Sequence, residues 1–327
     1  MQQLTKYVVL ISLLILTFFI TDVQSEDGVL AGAFLRMGIG AKALGMGGAF
    51  TAVANGPEVS YYNPGATPFL KSRQVMASYR FLSLDRNFNF IGYAQSIKPK
   101  VAPDSDEQPF NGGLAISWIY AGVDKIDGRG LNGQHIGYFS NSENAFSLSF
   151  GISPIEYIGI GLTAKVFYNR FPNMGDDDSA VSDFCFGMDF GIFAKPLPFL
   201  SVAFVIKDLN AKYDWKTDKL WEKDISKMDR FPKTYRGGIA LNWPYEWLLL
   251  AFDFEKNNQQ DGKYFVGIEA VPIPQIAVRT GLNNGNFACG AGYNFNILKY
   301  NTKIQYALAT KDYDVASEHI FSWLFEF

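Results

Sequence analysis

From residue 73 onward the chain alternates with a period of two. Apolar side chains stand at every second position, and small or polar ones stand between them. That period belongs to β-strands with two unlike faces. In the stretch TYRGGIALNW, Tyr235, Ile239, Leu241 and Trp243 share one face, and Arg236, Gly238, Ala240 and Asn242 share the other. The following stretch, WLLLAFDFEKN, sets Leu248, Leu250, Phe252 and Phe254 against Ala251, Asp253 and Glu255. Fourteen such segments start near Gln74, Asn87, Gly112, Ala145, Ile158, Phe184, Leu200, Thr234, Trp247, Lys263, Ile276, Asn286, Lys299 and His319.

The chemistry of the two faces decides what surrounds them. A soluble sandwich would turn a large apolar face inward and a charged, Lys-rich face to water. Here the second face is mostly Gly, Ala, Ser and Asn with scattered charges. This predicts an all-β fold: a fourteen-stranded antiparallel transmembrane β-barrel of the outer membrane, greasy outside and polar within. Lys165, Asp189, Arg236, Asp253, Glu255, Glu269, Arg279 and Lys303 then point into the lumen. Their mixed signs predict mutual pairing, because an unpaired charge in a narrow interior is costly.

Connection lengths test the same topology, since such barrels alternate short periplasmic turns with longer outer loops. The connections after the fourth, sixth, eighth, tenth and twelfth segments are a few residues each. Those after the third, fifth and seventh span 123–144, 171–183 and 209–233, and are expected to be loops; the second, from Pro99, is long and breaks the rule. The final segment places Phe321, Trp323, Phe325 and Phe327 on one face. Trp323, Phe325 and the terminal Phe327 form the expected membrane-assembly signal.

What precedes the strands is different in kind. Lys6, the apolar run YVVLISLLILTFFI and the stretch TDVQS read as a signal peptide over 1–25. The run is shorter than the roughly 20 residues of a helical membrane span. Next comes LRMGIGAKALGMGGAF, in which Gly38, Gly40 and Ala43 match the spacing of a dinucleotide fingerprint. That fingerprint needs a surrounding alternation of strands and helices, and none follows. Gly38, Gly40, Gly45, Gly47 and Gly48 are therefore assigned to a compact N-terminal plug or hatch, 26–72, in the lumen of a barrel that occupies 73–327.

Composition narrows the function. The net charge of -3 offers no basic stripe for nucleic acid. Two cysteines, Cys185 and Cys289, make no disulfide framework. The two histidines, His135 and His319, lie far apart and read as polar surface residues, so neither catalysis nor zinc binding is expected and no cofactor is implied. Asp176, Asp177 and Asp178 read as a solvated loop rather than a calcium site.

The stretch AFLRMGIGAKALGMGGAFTAVANGPEVSYYNPGA resembles the N-terminal signature of the PorV/PorQ family of FadL-like outer-membrane barrels. In that family a Gly-rich stretch precedes an Asn-Pro-Ala-Gly turn; here Asn63, Pro64, Gly65 and Ala66 stand at it with the last two reversed. GVDKIDGRGLNGQHIG, FPKTYRGGIAL and the C-terminal stretch continue the resemblance. It implies a fourteen-stranded barrel in contact with outer-membrane lipid and a part in type IX protein secretion, binding and shuttling the C-terminal domains of secreted cargo. Tyr213, Trp215 and Trp221 are then candidate cargo anchors, with packing over the barrel mouth as the alternative. The second reading is a FadL-like transporter of hydrophobic small molecules such as fatty acids.

Overall fold

The computed structural model describes residues 30–53, 55–99, 110–171, 181–216, 226–310 and 317–327. Sixteen strands run in chain order: β1 (Gln74–Phe81), β2 (Arg86–Ile97), β3 (Asn111–Arg129), β4 (His135–Ile155), β5 (Ile158–Phe171), β6 (Val181–Leu197), β7 (Leu200–Leu209), β8 (Lys212–Lys216), β9 (Ser226–Arg230), β10 (Thr234–Leu241), β11 (Leu248–Asn257), β12 (Lys263–Ile273), β13 (Ile276–Asn283), β14 (Asn286–Ile297), β15 (Tyr300–Ala309) and β16 (Glu318–Glu326). Fourteen of them, all but β8 and β9, close into one antiparallel barrel. β1 seals it against β16, with Gln74 opposite Glu326 and Phe81 opposite His319. Closure leaves no open sheet edge, which is the condition for a sheet to cross hydrocarbon.

Burial follows the alternation read from the sequence, inverted relative to a soluble protein. The outer face carries exposed Phe146, Leu148, Phe150, Leu162, Phe186 and Phe252, while alternate residues such as Ser147, Ser149, Thr163 and Asp253 are buried. Lipid is the solvent that this exterior fits, so the chain is an outer-membrane barrel. Placing a charge on that surface tests the assignment. Phe252→Arg, midway along β11, is expected to lower barrel stability by about 2–4 kcal/mol; urea unfolding in lipid vesicles measures it.

In two of the three long connections the described residues form strands. β3 and β4 continue past the barrel rim as a hairpin, pairing Ile126 with Phe139 and Asp127 with Tyr138. The ladder with β2 stops at Val123 and the ladder with β5 stops at Ser142, so beyond them the hairpin strands pair with each other, Asp124 still accepting from Asn87 of β2. The hairpin's outgoing arm, 124–129, is roughly 20 Å long at ~3.3 Å per residue. Of 209–233, the described part is the β8–β9 hairpin, which pairs only with itself. Residues 172–180 of the remaining connection lie outside the described residues.

Candidate functional site

The lumen is occupied by the chain's own N-terminal segment. Residues Ala33–Arg36 make a 3-10 turn, Ala41–Gly45 the short helix α1, Val59–Tyr62 the short helix α2, and Pro64–Phe69 a second 3-10 turn. Phe34, Leu35, Ile39, Met46, Phe50, Val59 and Tyr62 are buried in one cluster with inward residues of the strands. Within the Asn-Pro-Gly-Ala turn, Asn63 Oδ1 accepts the Gly65 amide at 2.9 Å. Its Nδ2 donates to the Ile192 carbonyl at 3.0 Å, which ties the turn to β6.

Glycine on the wall makes room for this segment. Gly113, Gly151, Gly161 and Gly191 are direct cross-strand neighbours on β3 to β6, and Gly267 faces Gly281 across β12 and β13. Any Cβ in the first row would meet the backbone or side chains of Asn63–Pro68, and any Cβ in the second would meet Met46 and Gly47. Gly47 itself has φ +65°, a conformation open to glycine at no steric cost.

The eight charges placed inside by the alternation are all found in ion pairs. Lys165 bridges Asp189 at 2.7 Å and Asp208 at 2.9 Å. Arg236 reaches Asp253 at 2.9 Å and Glu255 at 3.1 Å. Glu269 joins Arg279 at 2.6 Å and Lys42 of α1 at 2.8 Å, and Lys303 joins Glu326 at 2.6 Å. Asp253 holds the segment most directly: its Oδ2 accepts the Phe50 and Thr51 amides at 3.0 Å each and the Thr51 hydroxyl at 2.7 Å. Arg236 in turn donates to the Gly48 carbonyl.

Sequence reading missed several partners. Arg80 pairs with Glu318 and donates to the Met37 carbonyl at 2.8 Å; strict alternation with Met76 and Ser78 was the available signal. Lys207 and Asp208 are consecutive yet both buried. A register shift between Met188 and Phe190 of β6 makes a bulge in β7 there, and Asp208 takes φ +60°. Lys207 Nζ lies 4.0 Å from the centre of the Tyr61 ring.

Of the two readings of Tyr213, cargo anchor or packing of the loop, its burial fits packing. It is 2% exposed, packed between Phe231 and Trp215 with ring centres 5.0 and 5.1 Å away. β8 lies on the luminal side of β6, where the Lys212 amide donates to Cys185 Sγ. Trp215 is half-buried and donates to Asp229 at 3.1 Å, while Trp221 lies outside the described residues. Phe321, Trp323 and Phe327 face outward and are exposed, with Phe325 partly so. The Phe327 amide donates to the Arg73 carbonyl at 3.0 Å beside the closing seam.

At the end of the barrel that carries the longer connections, a vestibule of about 700 Å³ opens above the luminal segment. Phe34, Met37, Leu82 and Phe88 form its apolar part, and Arg86, Glu143, Lys263 and Glu318 are among its charged lining. A second, smaller space of about 30 Å³ lies between Tyr61, Tyr62, Lys207 and Arg236.

No protein-family model and no curated protein matches the chain. Solved structures do. The Ralstonia pickettii toluene transporter TbuX is similar over 89% of this chain and 98% of its own, with a TM-score of 0.62 at 10% identity. A Pseudomonas aeruginosa FadL homologue matches over 88% and 97%, with a TM-score of 0.59 at 11% identity. The CymD monoaromatic hydrocarbon channel matches over 89% and 98%, with a TM-score of 0.55 at 12% identity. The chain therefore has the fold of FadL-type outer-membrane barrels.

Proposed function

We propose that the chain is a passage for small hydrophobic molecules across the outer membrane. The observation that carries this reading is the vestibule: about 700 Å³, apolar at its floor, within the roughly 300–1,000 Å³ of small-molecule sites. The names of TbuX and CymD, a toluene transporter and a monoaromatic hydrocarbon channel, support the substrate class. The resemblance to FadL-like barrels seen in the sequence adds fatty acids to the candidates. On this reading residues 26–72 are a hatch, and passage requires it to shift, since its described residues are buried against the inward residues of the strands.

A disulfide tests this. A Cβ on Gly45 of α1 would lie 3.5 Å from Ala307 Cβ of β15, within the span a disulfide bridges. With Cys185 and Cys289 replaced by Ser, the pair Gly45→Cys and Ala307→Cys is expected to abolish uptake of toluene or oleate into vesicles when oxidised. Reduction restores it. Uptake no faster than in protein-free vesicles, before any locking, would reject the transport reading.

Cargo shuttling in type IX secretion, which the sequence resemblance put first, is supported by none of the fold neighbours. One feature keeps it as a second reading. The β3–β4 hairpin holds Leu131, Ile136 and Tyr138 exposed beyond the wall. Deleting 126–139 would abolish copurification of secreted cargo on that reading and leave hydrocarbon uptake intact on the first.

A further inference from the structure

One buried acid in the lumen belongs to none of the ion pairs above. Glu58, at the start of α2, is 2% exposed, and its Oε2 has no hydrogen-bond partner. Gln74 Oε1, at the start of β1, is a second buried acceptor without a donor. Both border Gly56: a Cβ there would collide with Glu58 Oε2 and lie 3.5 Å from Gln74 Oε1. Turning the Gln74 amide over does not resolve this. Its Nε2 donates to Glu326 Oε1 at 3.2 Å and Ser72 Oγ at 3.1 Å, and a flip would set an oxygen against the Glu326 carboxylate.

Two buried acceptors that border the same glycine and both lack a donor are satisfied together by one shared proton. We propose that Glu58 is a neutral carboxylic acid that donates to Gln74 Oε1, and that this proton latches the luminal segment to the β1–β16 closing seam. The chain of contacts runs from Lys303 through Glu326 and Gln74 to Glu58, so the latch ties hatch to barrel where the sheet closes. The neighbouring cations are spoken for: Lys42 and Arg279 bond Glu269, and Lys303 bonds Glu326. From β2 to β4, α2 is packed by Phe90, Ala94, Ala115, Ser117, Ser147 and Ser149, none ionisable at ordinary pH; the charged groups against its other side are Lys207 over Tyr61 and Tyr62 and Arg236 over Tyr62, the latter paired with Asp253 and Glu255. Burial also pushes the Glu58 carboxyl up from 4.5 to about 7.

The sign follows from linkage. Unseated, Glu58 is an ordinary carboxylic acid; seated, it holds its proton up to about pH 7. Seating is therefore strongest below 4.5, weakens by about tenfold per unit as pH rises to about 7, and levels off above. This inference stands apart from the transport reading, and its test reads the hatch alone.

Hydrogen exchange of peptides covering 38–62 in the full-length chain, in detergent, is compared with Glu58→Gln at each pH. The amide of the variant donates to Gln74 at every pH, so comparison at equal pH removes the intrinsic exchange rate. The wild-type to variant ratio is expected to rise at least tenfold between pH 5 and 7.5 and then stay level. A ratio constant with pH overturns the latch. If Glu58→Gln does not assemble, infrared difference spectra of the wild-type chain between pH 5.5 and 8.5 replace the comparison: loss of a buried carboxylic-acid C=O band supports it, and the absence of such a band overturns it.

Discussion

Gly281→Val is expected to unseat the luminal segment while leaving the barrel closed. A side chain on Gly281 would enter the backbone of Met46 and Gly47, and no rotamer relieves a clash with backbone. Overpacking costs about 1–3 kcal/mol where side chains can yield, and here they cannot. Valine suits a strand, and Gly281 keeps its ladder partners Gly267 and Ala288 whatever its side chain. Trypsin should then cut at Arg36 and Lys42, and cells should admit bulky antibiotics normally excluded, with the unseated population raised about tenfold or more. Gly237→Val is the control, because a Cβ there meets only the Ala203 carbonyl at 4.0 Å. Protection of both sites in Gly281→Val would show that the wall glycines do not hold the segment in place.

That glycine pattern explains how far the sequence could be read. Alternation assigned the faces because lipid and lumen differ chemically at every position, as at Phe252 and Asp253. It also assigned the inward charges, since Arg236 and Asp253 keep strict parity with buried Ala240 and Ala251. Where both sides of a strand meet water the contrast vanishes. Residues 124–141 pair as strands across two register shifts, yet Asp124, Asp127 and Arg129 beside Ile126 and Leu131 give no two-faced pattern, so the region reads as loop. Lys207 and Asp208 were hidden for another reason: a bulge shifts parity by one residue without a mark in composition. Tyr213 stays open between two readings in the sequence because an aromatic residue suits an interface and a packed hairpin equally well. Glu58 carried no local signal, since its acceptor partner is 16 residues away in a different element.

The second large effect lies at Asp253. Asp253→Ala is expected to destabilise the folded chain by about 3–5 kcal/mol, the cost of breaking a buried ion pair from one side. The substitution strips Arg236 of one of its two carboxylates, leaving Glu255 at 3.1 Å. It also orphans the Phe50 and Thr51 amides, both buried, whose acceptor was Oδ2. Those two losses are separable. Asp253→Asn keeps an acceptor oxygen for the amides and removes only the charge, so it should lose less than Asp253→Ala. Asp253→Leu with Arg236→Met removes both charges together and should recover part of the ion-pair loss, though not the amide bonds. Urea unfolding in lipid vesicles gives the free energies of the wild type and these variants, with Asp253→Leu and Arg236→Met alone completing the cycle, and trypsin cleavage at Lys42 reports the segment. If Asp253→Ala and Asp253→Asn lose equal stability, the carboxylate acts on Arg236 alone and the two amides find water instead. A loss in Asp253→Ala with Lys42 still protected would place the role of Asp253 in the wall rather than in seating the segment.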